Sequence, residues 1–186
     1  APTAPLRPAA HDVFAPVERL RSSTWRELRV VRYVLSAYAC QIIAHSAVDF
    51  QVDSLCAALI HAKGGSLRRD ADGRLLLQEE ILAIETLCLD LGTCLRLVWV
   101  PREQNQLADD ESKIVDAHNY ALCPAQFQAL ESRWGPFDVY RFASASNALL
   151  PRFNSRWACP GSSAVDTFLA SWTGVNNWIH PPAPLI

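Results

Sequence analysis

No apolar run in this chain approaches the roughly 18 residues needed to span a bilayer, and stretches such as Leu97-Val98-Trp99-Val100 fall far short of it. A membrane segment is therefore excluded from the expectations. The six cysteines form no C-x-x-C pair, and the five histidines (His11, His45, His61, His118, His180) stand at no metal-ligand spacing, which argues against zinc. Gly64-Gly65-Ser66 lacks the lysine of a phosphate-cradling loop, and no nucleophile elbow surrounds any serine. Methionine is absent altogether, so Ala1 reads as a cut or processed end with chain missing upstream.

What remains is the composition of a folded protein: 186 residues, 50% hydrophobic and 19% charged. That length builds one good-sized core, or one domain with an appendage. Four of the cysteines (among Cys40, Cys56, Cys88, Cys94, Cys123 and Cys159) sit in apolar, regular segments, where a reduced thiol behaves as a small hydrophobe. They point to a reducing, intracellular compartment, cytoplasmic or nuclear.

The formal charge of −2 is unevenly carried: residues 1–113 hold 13 basic and 15 acidic side chains, and residues 114–186 hold four of each. Chemistry is expected in the first part. Arg19, Arg21, Arg26, Arg29 and Arg32 lie close together in sequence. They form either a solvated helix face, the ordinary reading, or a local surface for phosphates.

Residues 1–22, with four prolines and no periodicity, read as an extended lead-in. Thr24 followed by Glu27 makes a capping-box pattern, and apolar residues at helical spacing from Trp25 to Tyr38 predict an amphipathic helix over 24–44. Val48 to Asp53 alternates strictly, as a half-buried strand does. Ser54–Lys63 reads as a helix stopped by Gly64-Gly65, and Leu75–Leu91 as another stopped by Gly92. Leu95–Val100 is a second strand ended by Pro101, and Leu107–Val115 begins a further helix. This order predicts an α/β layer with parallel strands. From Ala121 the texture becomes aromatic and proline-punctuated, an irregular extension expected to drape over the layer and bury its aromatics.

Asp53 stands at the carboxyl end of the first strand, where open α/β sheets place their ligands. Glu27 lies one turn into the first helix, and Asp109 and Asp110 open the helix after the second strand. If the strands are neighbours, these acids converge, at a repulsive cost that divalent cations with oxygen ligands relieve. Two such ions about 4 Å apart would activate water against a phosphodiester. The plainer alternatives are that Glu27 and Asp53 cap helices and Asp109 favours a helix dipole. Spacing alone favours these.

The pieces Ser22-Ser23-Thr24-Trp25-Arg26-Glu27-Leu28, Val52-Asp53-Ser54 and Trp99-Val100-Pro101-Arg102-Glu103, with Asn105, Ala108-Asp109 and Ser112-Lys113, resemble the ribonuclease H region of reverse transcriptases from DIRS-like, tyrosine-recombinase retroelements. Trp134-Gly135-Pro136, Arg141-Phe142-Ala143-Ser144, Asn147, Leu150-Pro151-Arg152-Phe153-Asn154-Ser155-Arg156, Val165-Asp166, Trp172 and Pro181-Pro182 resemble the stretch that follows it, so the likeness covers about residues 20–186. It implies a ribonuclease H-like three-layer α/β core over 23–120, with 121–186 packed on it, cutting the RNA strand of an RNA–DNA hybrid with two Mg²⁺ or Mn²⁺ ions. Glu27, Asp53 and Asp109 match the family's acids, with Asp110 a rival, and Arg26, Arg68, Arg69 and Arg102 become candidates for contacting nucleic acid. The upstream polymerase region of the same polyprotein is the implied partner.

Two departures qualify this. The family's first aspartate lies on an opening antiparallel strand that residues 1–23 cannot supply, and Asp12 has no strand context. Ser54 stands where the family usually has asparagine. The alternative is therefore a non-catalytic scaffold or nucleic-acid-binding module of the same fold. A secreted protein with paired cysteines is a remote third.

Overall fold

The computed structural model describes residues 9–10, 12–42, 44–114, 120 and 122–182. The chain divides into two compact units, Asp12–Lys113 and a second formed by Ile114–Ile186 with Ala1–His11. Residues 115–119, the end of the expected helix from Leu107 among them, lie outside the described residues.

In the first unit a short helix α1 (Pro16–Arg19) interrupts the expected lead-in. Helix α2 (Ser23–Ala37) is followed by β1 (Ala47–Val52), α3 (Leu55–Ala62), α4 (Leu76–Leu91), β2 (Cys94–Trp99) and α5 (Gln106–Ser112). The predicted order of helices and strands holds, but α2 stops at Ala37, short of 44, and passes into a 3₁₀ turn at Ala39–Gln41. Its cap is Ser22, whose hydroxyl accepts from the Trp25 backbone N–H at 3.2 Å, and not Thr24. With the helix starting earlier, Glu27 falls beyond reach of the cap.

Strands β1 and β2 pair in parallel, Ala47 opposite Cys94 through Val52 opposite Trp99. The register is clamped before the strands begin. Gly92 ends α4 at φ 62°, its carbonyl accepts from His45 N–H at 2.6 Å, and the Ser46 carbonyl accepts from Cys94 N–H at 3.0 Å and from the Thr93 hydroxyl at 2.9 Å. One sheet face meets the helices: Val52 and Leu97 join Leu28, Val31 and Leu35 of α2, Ala57 and Ala58 of α3, and Ile81, Ile84 and Cys88 of α4 in one core. On the other face Asp49, Gln51, Cys94 and Arg96 are exposed, and Arg96 makes a forked pair with Asp49. A helix layer on one side of a two-stranded parallel sheet is the observed α/β architecture of this unit.

Helix α3 ends where Gly64 and Gly65 turn left-handed, and Gly65 donates to the Ile60 carbonyl at 2.9 Å. A Cβ on Gly65 would fall 1.8 Å from Gln78 Oε1, which accepts from Ser66 N–H at 3.0 Å and ties this turn to α4. Helices α2 and α4 are joined by a pair sunk into their contact, Arg32 Nε to Glu80 Oε1 at 2.7 Å, with Glu80 4% exposed. Burial pushes the Glu80 carboxyl up, and Arg32 and Arg29 pull it back.

The second unit is not irregular, as the sequence had suggested. Helix α6 (Pro124–Trp134) precedes β3 (Val139–Ala143), β4 (Phe153–Ser155), β5 (Ala164–Val165) and β6 (Asn177–Trp178), which form a parallel sheet in the order β5-β4-β3-β6. Its aromatics do pack, but within the unit: Trp178 lies against Phe127 and Phe137, with ring centroids 5.2 and 5.1 Å apart. The hub is Arg141, 2% exposed, which donates to Asn177 Oδ1 at 2.5 Å, Asn154 Oδ1 at 2.6 Å and the Ser171 carbonyl at 2.8 Å. The planar guanidinium satisfies three segments at once, a geometry an ammonium cannot reproduce.

Among the described residues no helix is long and apolar enough to cross a membrane. Cys40, Cys56, Cys88, Cys94 and Cys123 carry free thiols. Of the cysteines in regular segments of the first unit only Cys88 is buried. Cys56 and Cys94 stand on exposed faces, so the small-hydrophobe expectation fails for them.

Two stability changes follow. Arg32→Ala leaves a buried carboxylate without its cation and lowers stability by about 2 kcal/mol, whereas Arg32→Met with Glu80→Leu recovers most of the loss; urea denaturation of the three proteins measures both. Arg141→Lys destabilises the second unit by roughly 2 kcal/mol through acceptors left unmet, seen as a lowered urea midpoint in the fluorescence of its tryptophans.

Candidate functional site

Parallel pairing brings the carboxyl ends of β1 and β2 side by side, and the ladder continues past both. Val100 N–H donates to the Val52 carbonyl at 2.9 Å, and the Trp99 indole N–H donates to the Asp53 carbonyl at 3.2 Å. Asp53 is thus anchored by its backbone to the exit of the neighbouring strand. It does not cap α3: Ser54 does, its hydroxyl accepting from Ala57 N–H at 3.2 Å. The residue that departs from the family pattern therefore has a local job, and the side chain of Asp53 is released from it.

Glu27, also free of capping duty, lies half-buried on α2 beside this end of the sheet. Burial raises its carboxyl pKa, the Asp53 charge raises it further, and Arg26 works in the opposite direction. Two of the three predicted acids therefore stand within electrostatic range of each other and repel. The Arg26 Nε is buried and has no hydrogen-bond partner among the described residues.

Beyond β2, Pro101 stops the strand and a 3₁₀ turn, Arg102–Gln104, leads into α5. Asp109 sits in the first turn of α5, and both of its oxygens are taken: Oδ1 accepts from Arg102 Nη2 at 3.1 Å and Oδ2 from Lys113 Nζ at 2.6 Å. The Lys113 ammonium and the Arg102 guanidinium hold Asp109 below the usual carboxylate range. Asp53 acts on the same guanidinium and helps to keep it charged. Asp110 accepts from Gln106 Nε2 at 2.8 Å, lies 3.7 Å from the same Lys113 ammonium, and is more exposed than Asp109. Between the two rivals Asp109 faces Arg102.

Glu27 and Asp53 thus come together at one end of the sheet, and Asp109 is linked to them through Arg102, but not as a metal cage. Among the described residues no three Asp, Glu, His or Cys side chains form a group that could hold a metal ion. The donor set as folded does not fit two divalent ions: both oxygens of Asp109 are engaged by cations, and Asp12, in the irregular segment before α1, turns its carboxylate to the neighbouring Val13 N–H at 2.7 Å.

No family model, curated protein or solved structure matches the chain.

Four of the five clustered arginines are committed to neighbouring segments, a role the sequence reading did not weigh. Arg19 donates to the Phe14 carbonyl at 2.9 Å, Arg29 pairs with Glu18 at 3.0 Å, Arg21 reaches Asp70 at 3.5 Å, and Arg32 holds Glu80. Arg68 and Arg69 are exposed on the loop before α4. That loop is shaped by Asp70, whose Oδ1 accepts from the backbone N–H groups of Asp72 and Arg74 at 3.0 and 2.8 Å. Arg69 folds back to the Gly73 carbonyl at 2.6 Å.

The raised pKa of Glu27 fixes a sign. A carboxyl that binds its proton more tightly when folded favours the fold fully below its unfolded pKa of about 4.3. That advantage is lost as pH rises through the higher folded value. Glu27→Gln, which cannot ionise, gains stability relative to the native protein between pH 4 and pH 7. Thermal melts of both proteins at the two pH values test this; an unchanged difference in Tm discards it.

Proposed function

We propose that this chain is a ribonuclease H-like module of a retroelement reverse transcriptase which engages RNA–DNA hybrid without cutting it. Its partner would be the polymerase region of the same polyprotein, in a reducing intracellular compartment. The order of motifs along the chain supports the family, and the closeness of Glu27 to Asp53, with Arg102 acting on both Asp53 and Asp109, supports the location of the site. One observation carries the non-cleaving reading: both oxygens of Asp109 are bound by Arg102 and Lys113. A two-metal hydrolase needs that carboxylate open, and it also needs the further acid that the likeness implies. Contact with a hybrid backbone would fall to exposed arginines such as Arg68 and Arg69, which position a duplex without reading its sequence.

The two-metal nuclease is the second reading, favoured by the repulsion between Glu27 and Asp53, which a Mg²⁺ or Mn²⁺ ion would relieve. In that reading Glu27, Asp53 and Asp109 hold the ions.

A labelled RNA–DNA hybrid separates the two. The native chain is expected to bind it with an affinity that falls steeply with salt, and Arg68→Gln with Arg69→Gln flattens that slope by about two. In Mg²⁺ the native chain and Asp53→Asn should show the same background cleavage. Cleavage that Asp53→Asn abolishes establishes the nuclease, and failure to bind hybrid removes both readings.

A further inference from the structure

We propose that Arg102, backed by Lys113, is the resident cation of the carboxylate end, filling the electrostatic role of a divalent ion at Asp53 and Asp109 and excluding one while the ion pairs stand. This rests on the reading of the strand ends as the family's carboxylate site, and it explains why that site is not arranged for metal.

The placement follows from the chain. Pro101 ends β2, so Arg102 is the first residue of the turn beyond it, within electrostatic range of Asp53. Asp109 lies seven residues on, one turn into α5, and Lys113 lies a further helical turn along the same face. Each carboxylate has a cation of its own. Arg26 acts on Glu27, Arg102 acts on Asp53 and Asp109, and Lys113 caps the second oxygen of Asp109. A hard divalent ion binds through carboxylate oxygen and demands near-ideal geometry. At Asp109 it must compete with the guanidinium on one oxygen and the ammonium on the other, and both positive charges oppose it. Arg102 and Lys113 are mostly exposed, so each pair is individually weak and exchangeable. The result is a latch with a modest hold, not a closed site.

Titration of the full chain with Mn²⁺, followed by loss of the free-ion EPR signal, tests the latch without reference to catalysis. The native chain is expected to bind Mn²⁺ no better than Asp109→Asn. The double variant Arg102→Gln/Lys113→Gln should bind about tenfold more tightly, and adding Asp53→Asn should abolish that gain. The control Lys63→Gln/Arg96→Gln removes the same charge and frees Asp49 in the same way, so it should leave Mn²⁺ binding at the native level. Equal binding by the native chain and the Arg102/Lys113 variant overturns the proposal, and so does an equal gain in the control. Circular dichroism confirms that each variant is folded. Hybrid affinity in EDTA tests the nucleic-acid reading alone, so failure there is distinguishable from failure of the latch.

Discussion

The in-register parallel pairing of Ala47–Val52 with Cys94–Trp99 is the constraint on which the first unit depends. A two-stranded parallel sheet has little stability of its own, because parallel strands are usually found in larger sheets with both faces covered. Here the pairing is held from both ends. Gly92 and His45 join the segments before the strands, and Val100 and Trp99 bond back to Val52 and Asp53 after them. The core formed by α2, α3 and α4 closes one face. A slip of either strand by one residue would turn its core side chain, Val52 or Leu97, outward and shift Asp53 relative to Arg102, so the register serves the core and the charge arrangement at once.

The elements of this unit are legible because each has a local cause. Strict alternation gives β1, glycines in left-handed conformation end α3 and α4, and proline ends β2. The capping-box reading fails by two residues, since Ser22, Ser23 and Thr24 are chemically equivalent candidates and only the completed helix selects Ser22. The second unit is harder to read because its strands are as short as two residues and give no periodicity to detect. Its organisation rests instead on long-range polar contacts. Arg141 meets Asn154, Ser171 and Asn177 only after folding, and nothing at the spacing of those residues marks them as a set.

Charge was legible in quantity but not in purpose. Five arginines near one helix suggest either a solvated face or a surface for phosphates, yet four of them hold neighbouring segments in place. The reason is geometric: a guanidinium presents five donors in a fixed fork and can bridge elements that a helix face alone does not identify. The acids show the converse. Glu27 and Asp53 seemed explained by capping until neighbouring serines proved to do that work.

The site is consequently asymmetric. On the α2 side, burial first and the charge of Asp53 second drive the Glu27 carboxyl toward its neutral form. On the α5 side, Asp109 is fully compensated and driven toward its charged form. The positive charge of Arg102, which acts on Asp53, opposes a divalent ion at the first pair. The turn Arg102–Gln104 carries Arg102 outside both β2 and α5. Its side chain can therefore leave Asp109 without disturbing the ladder or the core.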